Sequence, residues 1–123
     1  MLFRSKGAGE IQMGSGWYQG FQSYTPTAAG TATLDLSLGN DHRITMPADN
    51  ITIAVSNAKV GQKFLVSITQ DGTGSRTVTW FSTIKWAGGS APTLTTTASK
   101  RDTFGFICTG VDTYDGFVVG QNI

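Results

Sequence analysis

The sequence carries one cysteine (Cys108), one histidine (His42) and one glutamate (Glu10) in 123 residues, and only 14% of its residues are charged. Each scarcity removes a class of protein. A lone cysteine forbids an internal disulfide, which excludes a stapled secreted mini-fold. There is no Cys/His set from which to build a zinc site, and Asp71-Gly-Thr-Gly lacks the repeated acidic spacing of a calcium loop, so neither metal nor cofactor is expected. No Gly-Lys-Ser/Thr phosphate cradle occurs. No apolar run approaches the roughly 20 residues of a membrane-spanning helix. A charged start followed by an apolar leader is also missing, so neither membrane insertion nor export by that route is expected from this stretch. Within residues 31–123, seven Lys and Arg balance seven Asp and Glu, and Lys100-Arg101 is the only basic pair. A nucleic-acid partner would need a basic face to displace counterions from phosphate, and none is encoded.

What is present points to strands. The chain holds 18 Thr against six Leu and the single Glu. Thr, Val, Ile and aromatics suit a pleated surface, whereas Glu and Leu suit helices. The central signal is Gly61–Gly89. Phe64, Val66 and Ile68 alternate with Leu65, Ser67 and Thr69, and Val78 and Trp80 alternate with Thr77 and Thr79, the period of a strand. Asp71–Ser75 between them reads as a hairpin turn, because its glycines supply positive φ. Further alternation marks Leu34, Leu36 and Leu38, then His42–Met46, then Ile51–Val55, then Arg101–Thr109. Gly110-Val-Asp-Thr113 reads as a tight turn before Tyr114–Val119. About seven or eight short strands with turns between them and no helix-length connection predict an all-β fold. It is expected to be an antiparallel, jelly-roll-like β-sandwich.

Two domain-scale segments are expected. Residues 31–123 form the sandwich. Residues 1–30 form a Gly-rich stalk or strap whose aromatics Trp17, Tyr18, Phe21 and Tyr24 pack on something, since a free linker seldom carries such a cluster. Met1–Ser5 reads either as one frame of a sequencing adapter or as an ordinary N-terminus. In the first case the native protein is longer and this chain is its C-terminal end. Both Phe64/Leu65 and Phe106/Ile107 put apolar residues on two faces of a strand, which points to burial against a partner chain or to a two-sheet core.

Catalysis is not expected. A working site needs poised groups held together. His42 reads as an edge or surface residue, and Cys108 shares the core phase of Phe104 and Phe106, which argues against a His–Cys dyad. Asp71, Asp112 and Asp115 lie in or beside turns, where Asp serves local backbone hydrogen bonding instead of forming a glycosidase pair. Asn50-Ile-Thr52 matches a glycosylation triplet that arises often by chance. Binding is the better reading. Trp80 reads as core, while Trp86, Tyr114 and Phe117, with Asp71 and Thr73 at a loop tip, are candidate ligand or interface residues. The loops 71–75, 88–93 and 111–115 are the expected recognition surfaces.

Several blocks in succession carry a family resemblance: Thr33-Leu-Asp-Leu-Ser-Leu-Gly-Asn40, Asn50-Ile-Thr-Ile53, Gln70-Asp-Gly-Thr-Gly-Ser-Arg-Thr-Val-Thr-Trp80, Ile84-Lys-Trp-Ala-Gly-Gly89 and Ala91-Pro-Thr-Leu94. Together they resemble a C-terminal, β-rich module of tailed-phage tail fibres and related appendages, over about Thr31 to Ile123. The resemblance implies a non-enzymatic virion structural domain, made in the bacterial host cytoplasm and carried on the phage tail. It further implies a homotrimer that associates with other tail and fibre proteins and attaches to a host-surface glycan or other receptor. It transfers no catalytic or ligand residues. The alternative from the residues alone is a carbohydrate-binding module of a bacterial surface or secreted protein, which shares the all-β fold and aromatic loops.

Overall fold

The computed structural model describes residues 20–123. These residues form nine strands and one 3-10 turn. The strands are β1 Gln22–Tyr24, β2 Thr31–Asp35, β3 Asp41–Thr45, β4 Ile51–Ser56, β5 Lys63–Thr69, β6 Val78–Thr79, β7 Ile84–Trp86, β8 Arg101–Gly110 and β9 Thr113–Gly120. The turn, Leu36–Leu38, follows β2 directly. They assemble into a six-stranded sheet in the order β1-β3-β5-β8-β9-β7 and a three-stranded sheet in the order β2-β4-β6. The fold is an all-β sandwich, as the composition predicts. Trp17 and Tyr18, expected to pack on the body or on another subunit, and the adapter-like Met1–Ser5 lie outside the described residues.

Successive strands alternate between the sheets: β1, β3 and β5 in the larger, β2, β4 and β6 in the smaller. The first six strands therefore wind as a two-sided coil. Neighbouring coils pair in parallel, with Gln22 opposite His42 and Asp41 opposite Leu65 in one sheet, and Thr31 opposite Thr52 in the other. β5–β8 and β8–β9 are antiparallel, and β7 joins β9 in parallel.

This corrects the expectation of an antiparallel, jelly-roll sandwich. Parallel neighbours need a crossover, and the lack of helices had seemed to forbid one. Among the first six strands each crossover is itself a strand of the facing sheet, and the β7–β9 connection runs through β8 of the same sheet. The central hairpin is likewise absent: β5 lies between β3 and β8, and β6 pairs with β4 in the opposite sheet. The Asp71–Ser75 loop turns the chain across the sandwich. Asp71 accepts from the N–H groups of Thr73 and Gly74 and from Arg76, and Ser75 N–H donates to the Thr96 carbonyl.

The core draws on both sheets, with Leu34 and Ile53 from the smaller facing Ile44, Val66, Phe104 and Phe106 from the larger. Burial of each such side chain contributes about 1.5–3 kcal/mol. The Leu34/Leu36/Leu38 alternation does not run on as one strand. Asp35 accepts from both the N–H and the hydroxyl of Ser37 and starts the 3-10 turn, leaving Leu38 exposed. β1 brings Tyr24 to the larger sheet, so part of the segment before Thr31 adds an edge strand to the body.

His42 also departs from expectation. It is fully buried. Its Nε2–H donates to the Gly39 carbonyl at 2.9 Å, so Nδ1 accepts from the Tyr24 hydroxyl at 2.9 Å. The residue acts as a clasp between β1 and β3. Burial lowers its pKa, opposed by the hydrogen bond to Gly39.

Candidate functional site

The five residues singled out from the sequence fall in three separate places. Trp86 and Tyr114 belong to an aromatic cluster where β7 and β9 meet the β6–β7 connection. The parallel pairing sets Ile84 beside Tyr114 and Trp86 beside Gly116. Gly116 is required there: a Cβ would stand 2.8 Å from Ile84 and 2.9 Å from the Trp86 ring. Trp86 packs edge-on against Trp80 at 5.1 Å, and Tyr114 against Phe81 at 4.9 Å. Both indole rings also contact Phe104 and Phe106 of the core. The cluster closes the side of the sandwich that the short β6 leaves uncovered. Tyr114 is buried, and burial raises its pKa, with Cys108 and Asp112 adding to the effect.

Asp71 and Thr73 sit in the loop between β5 and β6. Both Asp71 carboxylate oxygens are engaged, one by the Thr73 and Gly74 N–H groups and the other by the Arg76 guanidinium at 2.9 Å. Arg76 first, then the backbone donors, hold its carboxyl below the usual range against some desolvation. The side chain is committed to the shape of its loop.

Phe117 is on the opposite face of β9, outside the sandwich. Its ring lies over Gly105, where a Cβ would meet it at 2.5 Å. The register Leu65–Gly105–Phe117 and the next row Lys63–Ile107–Asp115 place three apolar side chains together on the outer face of the larger sheet. They line a shallow groove of about 370 Å³. Leu65 and Phe117 are 42% and 39% exposed. Leu65 and Ile107 were legible as the second apolar face of Phe64/Leu65 and Phe106/Ile107, although the sequence did not say which member faced out. Phe64 and Phe106 face in.

The carboxylates considered for acid–base work are dispersed. Asp71 lies in its loop, Asp112 in the β8–β9 turn, and Asp115 on the outer row of β9. Cys108 is buried with its thiol directed to the Gly110 carbonyl, and both His42 ring nitrogens are engaged elsewhere.

Residues 24–113 match the model of a family described as "Putative phage tail fibre C-terminal domain". The chain belongs to this tail fibre family. The match opens in β1 and closes at the first residue of β9, and so spans both sheets of the sandwich. It gives the domain a structural role in a phage tail fibre, in association with the virion. No curated protein and no solved structure matches the chain.

Proposed function

We propose that the domain is a non-enzymatic end-piece of a phage tail fibre that holds three chains together and presents its loops to the host surface. The observation that carries this reading is the outer apolar row of Leu65, Ile107 and Phe117. Apolar side chains left side by side in water on one face of a sheet are a candidate interaction surface. Lys63 and Asp115 flank Ile107 in register, and neither has an ion-pair partner among the described residues. In a rotationally symmetric ring the β5 side of one copy meets the β9 side of the next, which sets Lys63 of one chain towards Asp115 of its neighbour. Three copies on one fibre, and several fibres on a particle, turn weak host contacts into strong attachment through effective concentration. The partners are then two further copies, other tail proteins and a host-surface glycan. Trp86 and Tyr114 serve the sandwich, Phe117 the copy-to-copy contact, and the loop holding Asp71 and Thr73 is part of the exposed recognition surface.

Competition tests the host contact. Purified chain in excess is expected to block adsorption of the phage that encodes it, and adsorption left unchanged by saturating chain contradicts it.

A further inference from the structure

The smaller sheet has an unfinished edge. β6 pairs with β4 only at Ile51–Val78 and Thr52–Thr79, and the chain then leaves through Trp80 and Phe81. Along β4, Ile51 N–H donates to Thr77 on this side, whereas Thr52 N–H donates to Gly30 on the β2 side. Backbone groups alternate sides along a strand, so Ile53 and Val55 also point towards the unfinished edge. Among the described residues, no strand beyond Thr79 meets the Ile53 carbonyl or the Val55 N–H and carbonyl.

Sheet edges are ordinarily blunted by charge, proline or a bulge. Ile51–Ser56 has none of these. The edge is recessed instead of projecting. It borders a slot of about 310 Å³ with Trp80, Phe81 and Tyr114 on its other sides. A second space of about 220 Å³ continues it past Val55 towards Val60 and Val111. Asp112 lines both spaces and is the only charged residue that does. It has no ion-pair partner among the described residues. Tyr114 lines both spaces too, and no described group hydrogen-bonds its hydroxyl.

We propose that this slot binds an extended peptide segment, which adds a strand to β4 at Ile53–Val55 and places a Lys or Arg side chain against Asp112. A peptide backbone offers donors and acceptors at the strand repeat of about 3.3 Å per residue, matching the open carbonyl, N–H and carbonyl of β4. Alternate side chains of the segment meet the aromatic floor. A sugar offers no such repeat, and the slot's rings are packed edge-on against one another, with little free face for stacking. The site stands apart from the outer apolar row and does not depend on the number of chains in the fibre.

The probe is the blocked peptide acetyl-Thr-Val-Arg-Val-Thr-amide, titrated into isotope-labelled chain and followed by NMR. In the free chain the Val55 amide is expected to exchange rapidly with solvent while that of Ala54 is protected. The peptide is expected to shift Val55 and Asp112 saturably and to slow Val55 exchange. Val55→Pro removes a donor that no ladder uses, a change edge strands tolerate. It is expected to keep the spectrum of the fold and weaken binding about fivefold, the effect of one hydrogen bond. Asp112→Asn is expected to weaken the Arg peptide and leave a Gln-for-Arg version unchanged. Four results overturn the proposal: a Val55 amide already protected in the free chain, no shifts at millimolar peptide, equal binding by a peptide N-methylated at alternate amides, or slot shifts caused by a chitin oligosaccharide and not by the peptide.

Discussion

Replacing Asp102 by alanine tests how the end of the chain is tied down. The residue is 2% exposed and lies on β8, yet its carboxyl is held below the usual range. Burial pushes the pKa up, and the backbone N–H groups of Thr95 at 2.7 Å and Asn122 at 2.9 Å, with the Gln121 amide at 3.1 Å, outweigh it. One carboxylate thus joins β8, the 93–95 connection and the final residues. Each hydrogen bond to a charged group contributes roughly 1.5–3 kcal/mol. These donors are only partly buried, so Asp102→Ala is expected to cost about 3 kcal/mol, near the low end for two of them. For about 100 ordered residues that is a fall in Tm of about 12 °C. Asp102→Asn keeps one acceptor oxygen and is expected to lose about half as much. Deleting residues 121–123 removes two of the three donors, so the deletion and Asp102→Ala should combine to less than their sum. A depressed carboxyl pKa contributes stability that is present above about pH 4 and lost as pH falls through the folded value, and the alanine variant should lack that part of the acid slope. Urea unfolding followed by circular dichroism supplies each number. A cost below about 1 kcal/mol, or full additivity with the deletion, would refute the tether.

Two further outcomes follow from the same packing. The pKa of His42 is lowered in the fold, so its contribution is present above about pH 6.5 and is lost as pH falls below that value. His42→Gln should flatten the stability profile below about pH 6.5, and an unchanged slope would contradict the buried clasp with Tyr24. Gly116→Val drives a side chain into Ile84 and Trp86 and should cost about 2–3 kcal/mol in urea unfolding, with Trp fluorescence shifted by exposure of Trp86; a neutral result would mean that β7 is not packed as described.

Much of the strand content was legible because its signals are local. Alternation located β3, β4, β5, β8 and β9, and Gly110–Thr113 gave the β8–β9 turn. Topology was not legible. Asp71-Gly-Thr-Gly-Ser75 has hairpin chemistry, yet its Asp binds Arg76 and its Ser75 N–H goes to Thr96, contacts with no short-range signature. The winding between sheets was hidden for a related reason, since a strand that serves as a crossover looks like any other strand. Its position between a turn and a strand made His42 read as an edge or surface residue, and only the neighbouring Tyr24 and Gly39 make its burial tolerable. The candidate contact residues were readable as aromatics, but which face of β9 carries Tyr114 and which carries Phe117 depends on the sheet opposite. The open edge at Ile53–Val55 had no local signal, because it arises from where β6 stops.

The most direct test of the fibre reading is the mass of the 123-residue chain at physiological salt by sedimentation equilibrium, measured beside Phe117→Asp. Three times the 13.0 kDa chain mass is expected for the native protein, falling to one chain in the variant with the circular dichroism of the fold retained. A native chain that sediments at 13.0 kDa across the accessible concentration range, or a Phe117→Asp variant that stays trimeric, would contradict the account.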